Sequence, residues 1–162
     1  MLRFTFFLML TCATLVAKAD SRLFHISRSL NANIVCYDAR IVNGKLDANS
    51  PVHVYWHNNT DRPGAEDELS VLQRKMAYGY KVVSRTANEV EIKLTAYNKR
   101  SMKLRKLNGR WACVMKINGK DCILNEIYVK ARENNSLRVE YVLLKGKCIA
   151  DGTAMKEKID NN

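Results

Sequence analysis

The run MKLRKLNGRWACVMKINGKDCIL, residues 102–124, decides the fold class. It contains two Asn-Gly dipeptides, Asn108-Gly109 and Asn118-Gly119, and both are flanked by alternating residues. Asn and Gly tolerate the positive φ that both central positions of a type I′ turn demand, and that turn matches the twist of the strands it joins. Two consecutive hairpins are therefore expected here. In an extended strand Lys103 and Arg105 share one face, with Met102 and Leu104 on the other. Around Asn118-Gly119 a two-residue turn sets Ile117 opposite Lys120, Met115 opposite Cys122 and Cys113 opposite Leu124.

The same period of two recurs on both sides of this stretch. Asn43-Gly44 closes a run in which Val35, Tyr37, Ala39 and Ile41 alternate with Ile34 and Cys36. Val52, Val54 and Trp56 alternate with His53, Tyr55 and His57. Val90, Ile92, Leu94 and Ala96 alternate with Glu89, Glu91, Lys93 and Thr95, the pattern of a half-buried strand. Leu137, Val139, Tyr141 and Leu143 repeat it. Glu66 to Ala77 breaks the period: Leu69, Leu72, Gln73 and Met76 lie at helical spacing, with acids first and Arg74 and Lys75 near the end, and Gly79 ends the segment. The tail after Gly152 reads as frayed or as a short helix. The expected fold is mainly β: an antiparallel meander of about eight strands with one short helix. It hides its edges by closing as a lipocalin-like barrel or folding as a sandwich.

The chain has 162 residues, 47% of them hydrophobic, with 2 Pro and 7 Gly, which excludes a disordered or collagen-like polymer. No apolar run reaches the roughly 18 residues of a spanning helix, and no repeat marks a solenoid or propeller. The first nineteen residues read as a signal peptide: Arg3, an uncharged stretch from Phe4 to Val16, then Ala17-Lys18-Ala19 as an A-x-A site with the cut before Asp20. Residues 20–162 then form a single β-rich domain. The cut removes Arg3 and Lys18 and no acid, leaving 25 basic and 16 acidic side chains, a net charge of +9. The expected location is exported: periplasmic, outer-membrane-associated or secreted.

Export makes Cys36, Cys113, Cys122 and Cys148 disulfide candidates, with three pairings open. Cys113 and Cys122 are diagonal across their hairpin, roughly 7 Å apart or more, whereas a disulfide needs Cβ atoms about 4 Å apart. Reduced core cysteines are the alternative.

Several strings together carry a family resemblance: Leu23-Phe24-His25-Ile26 with Arg28, Asn31-Ala32-Asn33-Ile34-Val35, Tyr37-Asp38, Pro51-Val52-His53-Val54-Tyr55-Trp56, and LSVLQRKMAYGY over residues 69–80. They resemble a bacterial family called domain of unknown function 4833, over residues 22 to 149. The resemblance implies an exported protein of Gram-negative bacteria with no established activity, and it supplies no catalytic residues.

The chemistry-bearing residues point away from catalysis. His53 and His57 share a strand face but lie roughly 13 Å apart along it, too far to share one metal, and no metal or cofactor motif is present. A small envelope hydrolase would need His53 or His57 beside Asp38 or Cys36. Lys99, Arg100, Lys103, Arg105 and Arg110, with Lys106, form a cationic strip that attracts anionic lipid or glycan. The strip reads equally as a charged edge strand that resists aggregation. Nucleic acid is disfavoured, because no aromatic is interleaved with the cations. Tyr55, Trp56, Tyr78 and Tyr80 are pocket candidates for an apolar ligand, with ordinary core packing as the alternative. The expected function is non-catalytic binding in the cell envelope. A structural subunit that recruits a partner by strand addition is a third reading.

Overall fold

The computed structural model describes residues 21–161, so the expected signal peptide lies outside the described residues. All three Asn-Gly turns form as expected. Asn43, Asn108 and Asn118 have φ of 50°, 50° and 49°, each followed by a glycine at positive φ. They join β3 (Ile41–Val42) to β4 (Lys45–Leu46), β9 (Met102–Leu107) to β10 (Arg110–Ile117), and β10 to β11 (Lys120–Arg132). The register at the last turn is the one read from sequence, Ile117 opposite Lys120 and Met115 opposite Cys122.

The remaining elements are β1 (Arg22–Arg28), β2 (Asn31–Ala39), β5 (Val52–His57), β6 (Glu66–Glu68), β7 (Tyr80–Arg85), β8 (Glu89–Leu94), β12 (Asn135–Cys148) and β13 (Ala154–Asp160). A short helix, α1 (Val71–Gln73), runs into a π-helical turn at Arg74–Tyr78. The fold is mainly β with one short helical segment, but three expectations change. There are more than eight strands. The tail forms strand β13, paired with β12 in register from Lys147↔Ala154 to Tyr141↔Asp160. The helix begins later than its charge pattern suggests. Glu66–Glu68 pairs with β5, and Ser70 caps the helix by accepting from the Gln73 amide while Gln73 accepts from the Ser70 amide.

The largest departure is topological. Eleven strands form one sheet in which β6-β5-β2-β1-β11-β10-β9-β8-β7 is a continuous path, with β12 and β13 added beyond β11. One edge of β11 is shared. Its first part pairs antiparallel with β10 through Ile123, and its second part pairs parallel with β1 from Glu126 to Val129. A register shift in the β11–β12 pairing between Leu124 and Glu126 marks the hand-over, where a bulge bends the strand. β12 lines the opposite edge. Two wings thus leave β11, β1-β2-β5-β6 and β10-β9-β8-β7, and curl towards each other.

The sheet is a curled half-barrel, not a closed barrel: β6 pairs only with β5, and β7 only with β8. The helical turn spans the seam between them. Tyr37 donates from its hydroxyl to the Tyr78 carbonyl (2.7 Å), and the Tyr80 hydroxyl bridges the Val52 amide (3.1 Å) and carbonyl (3.0 Å). Side chains and a helical turn therefore do at the seam what a ladder would do in a barrel. The core lies between the wings. Phe24 and Tyr37 stack at 4.3 Å on one side, with Ile92, Leu104 and Ile117 fully buried on the other. The loop carrying β3 and β4 caps one end, with Leu46 in the core. Arg85 donates to the Ala48 carbonyl (2.9 Å) and Lys106 to the Gly44 carbonyl (3.2 Å).

Gly146 on β12 makes this packing possible. A Cβ there would stand 2.4 Å from the Ile123 carbonyl oxygen and 2.9 Å from Cδ1 of Ile117. One of these contacts is backbone, so relief requires the β11–β12 ladder to move. Gly146→Ala should cost about 1–3 kcal/mol by overpacking and lower the melting temperature by roughly 5–10 °C in a calorimetric scan.

Candidate functional site

The wings leave the end opposite the capping loop open. A cavity of about 280 Å³ enters the core there, lined mostly by apolar side chains. Its walls come from distant parts of the chain. Ile127 and Val129 of β11 and Val142 and Leu144 of β12 form one side, Met102 and Met115 another, and Ile159 of β13 a third. Alternation explains the lining, since these residues occupy the inward positions of their strands. Arg28, Lys99 and Arg100 stand among the lining residues together with one acid, Asp160, which pairs with Lys158 at 2.7 Å, so cations outnumber acids around an apolar interior.

The pocket candidates divide. Tyr78 lines the cavity, and Trp56 packs edge-on against it at 5.2 Å without reaching the lining. Tyr80 ties the seam. Tyr55 points to the opposite face of its wing. The cationic candidates divide too. Lys99 and Arg100 reach the opening. Arg100 is held by Glu157 through two bonds (3.0 and 2.5 Å), and that hydrogen bond is the leading reason its pKa is raised further. Lys103 pairs with Glu89 at 3.0 Å on the outer face. Arg105 stands opposite Glu89 on the same strand pair, and Arg110 opens β10 at the turn. Arg28, whose guanidinium donates to the Ser136 carbonyl (2.6 Å), is a cation at the opening that sequence reasoning missed. Its role follows from the parallel β1–β11 pairing, which no local period reveals.

The outer face of the first wing carries a second cluster of ionisable groups. Cross-strand register lines up Glu126, His25, Cys36, Tyr55 and Glu68 across five strands, with Arg22, Asp38 and His53 in the next row. Asp38, the one acid inside an apolar strand, is buried. It accepts from Arg22 Nε (2.5 Å), the Tyr55 hydroxyl (2.9 Å) and Ser21 Oγ (3.4 Å). Burial and then the Asp38 charge push the Tyr55 phenol well above its usual range, so it stays a donor. His53 bonds Glu68 at 3.0 Å. Burial pushes the Cys36 thiol up to about 11, which keeps it protonated at neutral pH. These contacts join Asp38 to Arg22 and Tyr55 rather than to a histidine, and they leave Cys36 without thiolate character. Among the described residues no group of three His, Cys, Asp or Glu side chains could hold a metal ion. The row reads as a polar clasp holding β1, β2 and β5 together.

Two measurements follow from the clasp. Tyr55→Phe leaves Asp38 short of one donor and should cost about 1–3 kcal/mol in urea denaturation. His25 is held below its ordinary pKa chiefly by burial, with Arg22 and Lys145 adding to the effect. Glu126, at 4.0 Å, pulls the other way but is already engaged by Lys145 (2.9 Å) and Ser27 (2.5 Å). Between the folded and unfolded His25 pKa the unfolded chain binds the extra proton, so stability falls as pH drops below the unfolded value of about 6.5. His25→Gln should flatten that part of the stability profile between roughly pH 7 and 5.

No curated protein and no solved structure matches this chain. A family model does: the one described as domain of unknown function (DUF4833) matches residues 24–158, from the first strand to the last, and the protein belongs to that family.

Proposed function

We propose that this is an exported, non-catalytic binding protein of the cell envelope that takes a single-chain anionic amphiphile into the open end of its half-barrel. The observation that carries the reading is the apolar cavity of about 280 Å³ with cations at its opening. Ligand pockets span roughly 300–1,000 Å³, so this volume suits one acyl chain rather than a multi-chain lipid. The lining is mostly apolar, with Tyr78, Tyr97, Asp160 and Asn161 as its uncharged or acidic polar members, so hydrophobic contact dominates along the tail. Lys99 supplies the charge for a carboxylate or phosphate head. Arg100 is already neutralised by Glu157, and Arg28 is committed through one nitrogen to a backbone carbonyl. The leader-like sequence at residues 1–19 and the basic balance of the rest support an envelope setting with anionic lipids nearby.

A second reading is favoured by the free edge of β7, where Val82 and Val83 are 42% and 51% exposed and no further strand pairs among the described residues. Such an edge recruits a partner strand in an assembly. Sedimentation of the full chain over a wide concentration range separates the two. A strict monomer disfavours the assembly reading.

Calorimetric titration of the full chain with dodecanoate tests the binding reading. Saturable one-site binding is expected. Lys99→Glu should weaken it by about tenfold, less at high salt, which corresponds to about 1.4 kcal/mol. Val142→Trp should fill the cavity and abolish binding while the far-ultraviolet circular dichroism stays that of a β protein. Absence of saturable binding, or binding indifferent to both substitutions, overturns the proposal.

A further inference from the structure

We infer that Cys122 and Cys148 are built to form a disulfide across β11 and β12, whatever occupies the cavity. The two residues are direct partners in the antiparallel register. The hydrogen bonding around them settles which kind of partner. The Ile149 amide donates to the Asp121 carbonyl (3.0 Å), one residue beyond Cys148 and one before Cys122. That bond flanks a non-hydrogen-bonded pair, in which the Cα atoms are about 4.5 Å apart and the side chains lean closest. Disulfides span Cα separations of about 4.4–6.8 Å, so the backbone already meets the requirement. Both side chains belong to the core face, beside Ile117 and Leu124, and both are buried.

The other two cysteines among the described residues have no such partner. Cys113 stands opposite Leu104 on β9, deep in the second wing. Cys36 lies on the outer face of the first wing, opposite His25 and Tyr55. The three pairings open from sequence therefore reduce to one bridge and two isolated thiols.

The structure holds the pair as thiols, and bond formation needs an oxidant of the disulfide class, either a small-molecule disulfide or a thiol–disulfide oxidoreductase. One cysteine, as thiolate, attacks the oxidant's disulfide and releases one thiol. The second cysteine then displaces the mixed disulfide and releases the other. Two cysteine protons and two electrons leave, and the oxidant's sulfurs depart as two thiols. Burial pushes the Cys122 thiol upward, and the neighbouring Cys148 adds to it, so Cys122 is a poor nucleophile in the folded chain, and both sulfurs are buried from an oxidant. The bond belongs to folding, while the two strands are still zipping together. Its effect is to lock β12 onto β11 at the end away from the cavity, and β12 carries β13, so one staple secures both strands of that wall.

The full chain, unfolded and reduced, is refolded in a glutathione and glutathione-disulfide buffer. It is then alkylated in denaturant without reductant, digested and mapped by mass spectrometry. One linked peptide pair containing Cys122 and Cys148 is expected, with Cys12, Cys36 and Cys113 alkylated. The linked form should melt roughly 10 °C above the same chain after reduction. Cys148→Ser should leave Cys122 alkylated, and Cys36→Ser should change nothing in the map. Should refolding fail, the same map is made on chain purified folded and incubated with glutathione disulfide in mild urea. Alkylation of both Cys122 and Cys148, or a link from either to another cysteine, overturns the inference. A correct link that leaves the melting temperature unmoved overturns the staple role.

Discussion

Everything in this fold hangs on one edge of one strand. β11 is thirteen residues long, and its edge is divided between β10 and β1, which meet it from opposite directions. A strand edge offers one ladder of donors and acceptors, so two partners on it must lie end to end. Beyond the meeting point each partner carries its own neighbours away. The bulge between Leu124 and Glu126 absorbs the change of partner. Curl, two facing wings and an open end follow from that division. A meander in which every strand kept its sequence neighbours would have produced a flatter sheet or a closed ring, and no such mouth.

The charges obey the same geometry. The cationic run after Tyr97 looks continuous in sequence, but the fold distributes it. Lys103 is paired with Glu89, Lys106 lies over the Trp111 ring at 5.6 Å and reaches the capping loop, and Arg100 is clamped by Glu157. Much of its charge serves the protein itself, and Lys99 is left at the opening. On the other wing Asp38 shows the converse. A carboxylate inside an apolar strand is costly to bury alone, and the chain brings the buried Tyr55 hydroxyl and the more exposed Arg22 guanidinium to it, which makes the cluster one of cohesion.

Local physics was legible in the sequence and long-range pairing was not. The three Asn-Gly turns, the β10–β11 register and the inward faces of β5 and β8 follow from φ preferences and a period of two, both properties of a few adjacent residues. The start of the helix was misread because Glu66, Asp67 and Glu68 suit a helix dipole as well as an edge strand, and the tertiary contact with β5 decided between them. The tail was misread because Ala154–Asp160 is half exposed and polar, so its pairing with β12 leaves little trace in hydropathy. Of the site, Tyr78, Lys99 and Arg100 could be found from residue type. Arg28, Val129 and Val142 could not, because they meet only once β1 has docked on a strand a hundred residues away.

That docking has a kinetic consequence. Each wing can zip from local hairpins, which close in microseconds. The β1–β11 ladder joins His25 to Glu126 and must wait for nearly the whole chain, at the entropic cost of a very long loop. β1, which precedes every other described strand, therefore keeps one edge bare until β11 has been made. Its sequence already carries a guard for that interval: Arg22, His25 and Arg28 punctuate Leu23, Phe24 and Ile26, and charge along an unfinished edge is what discourages pairing with the wrong chain.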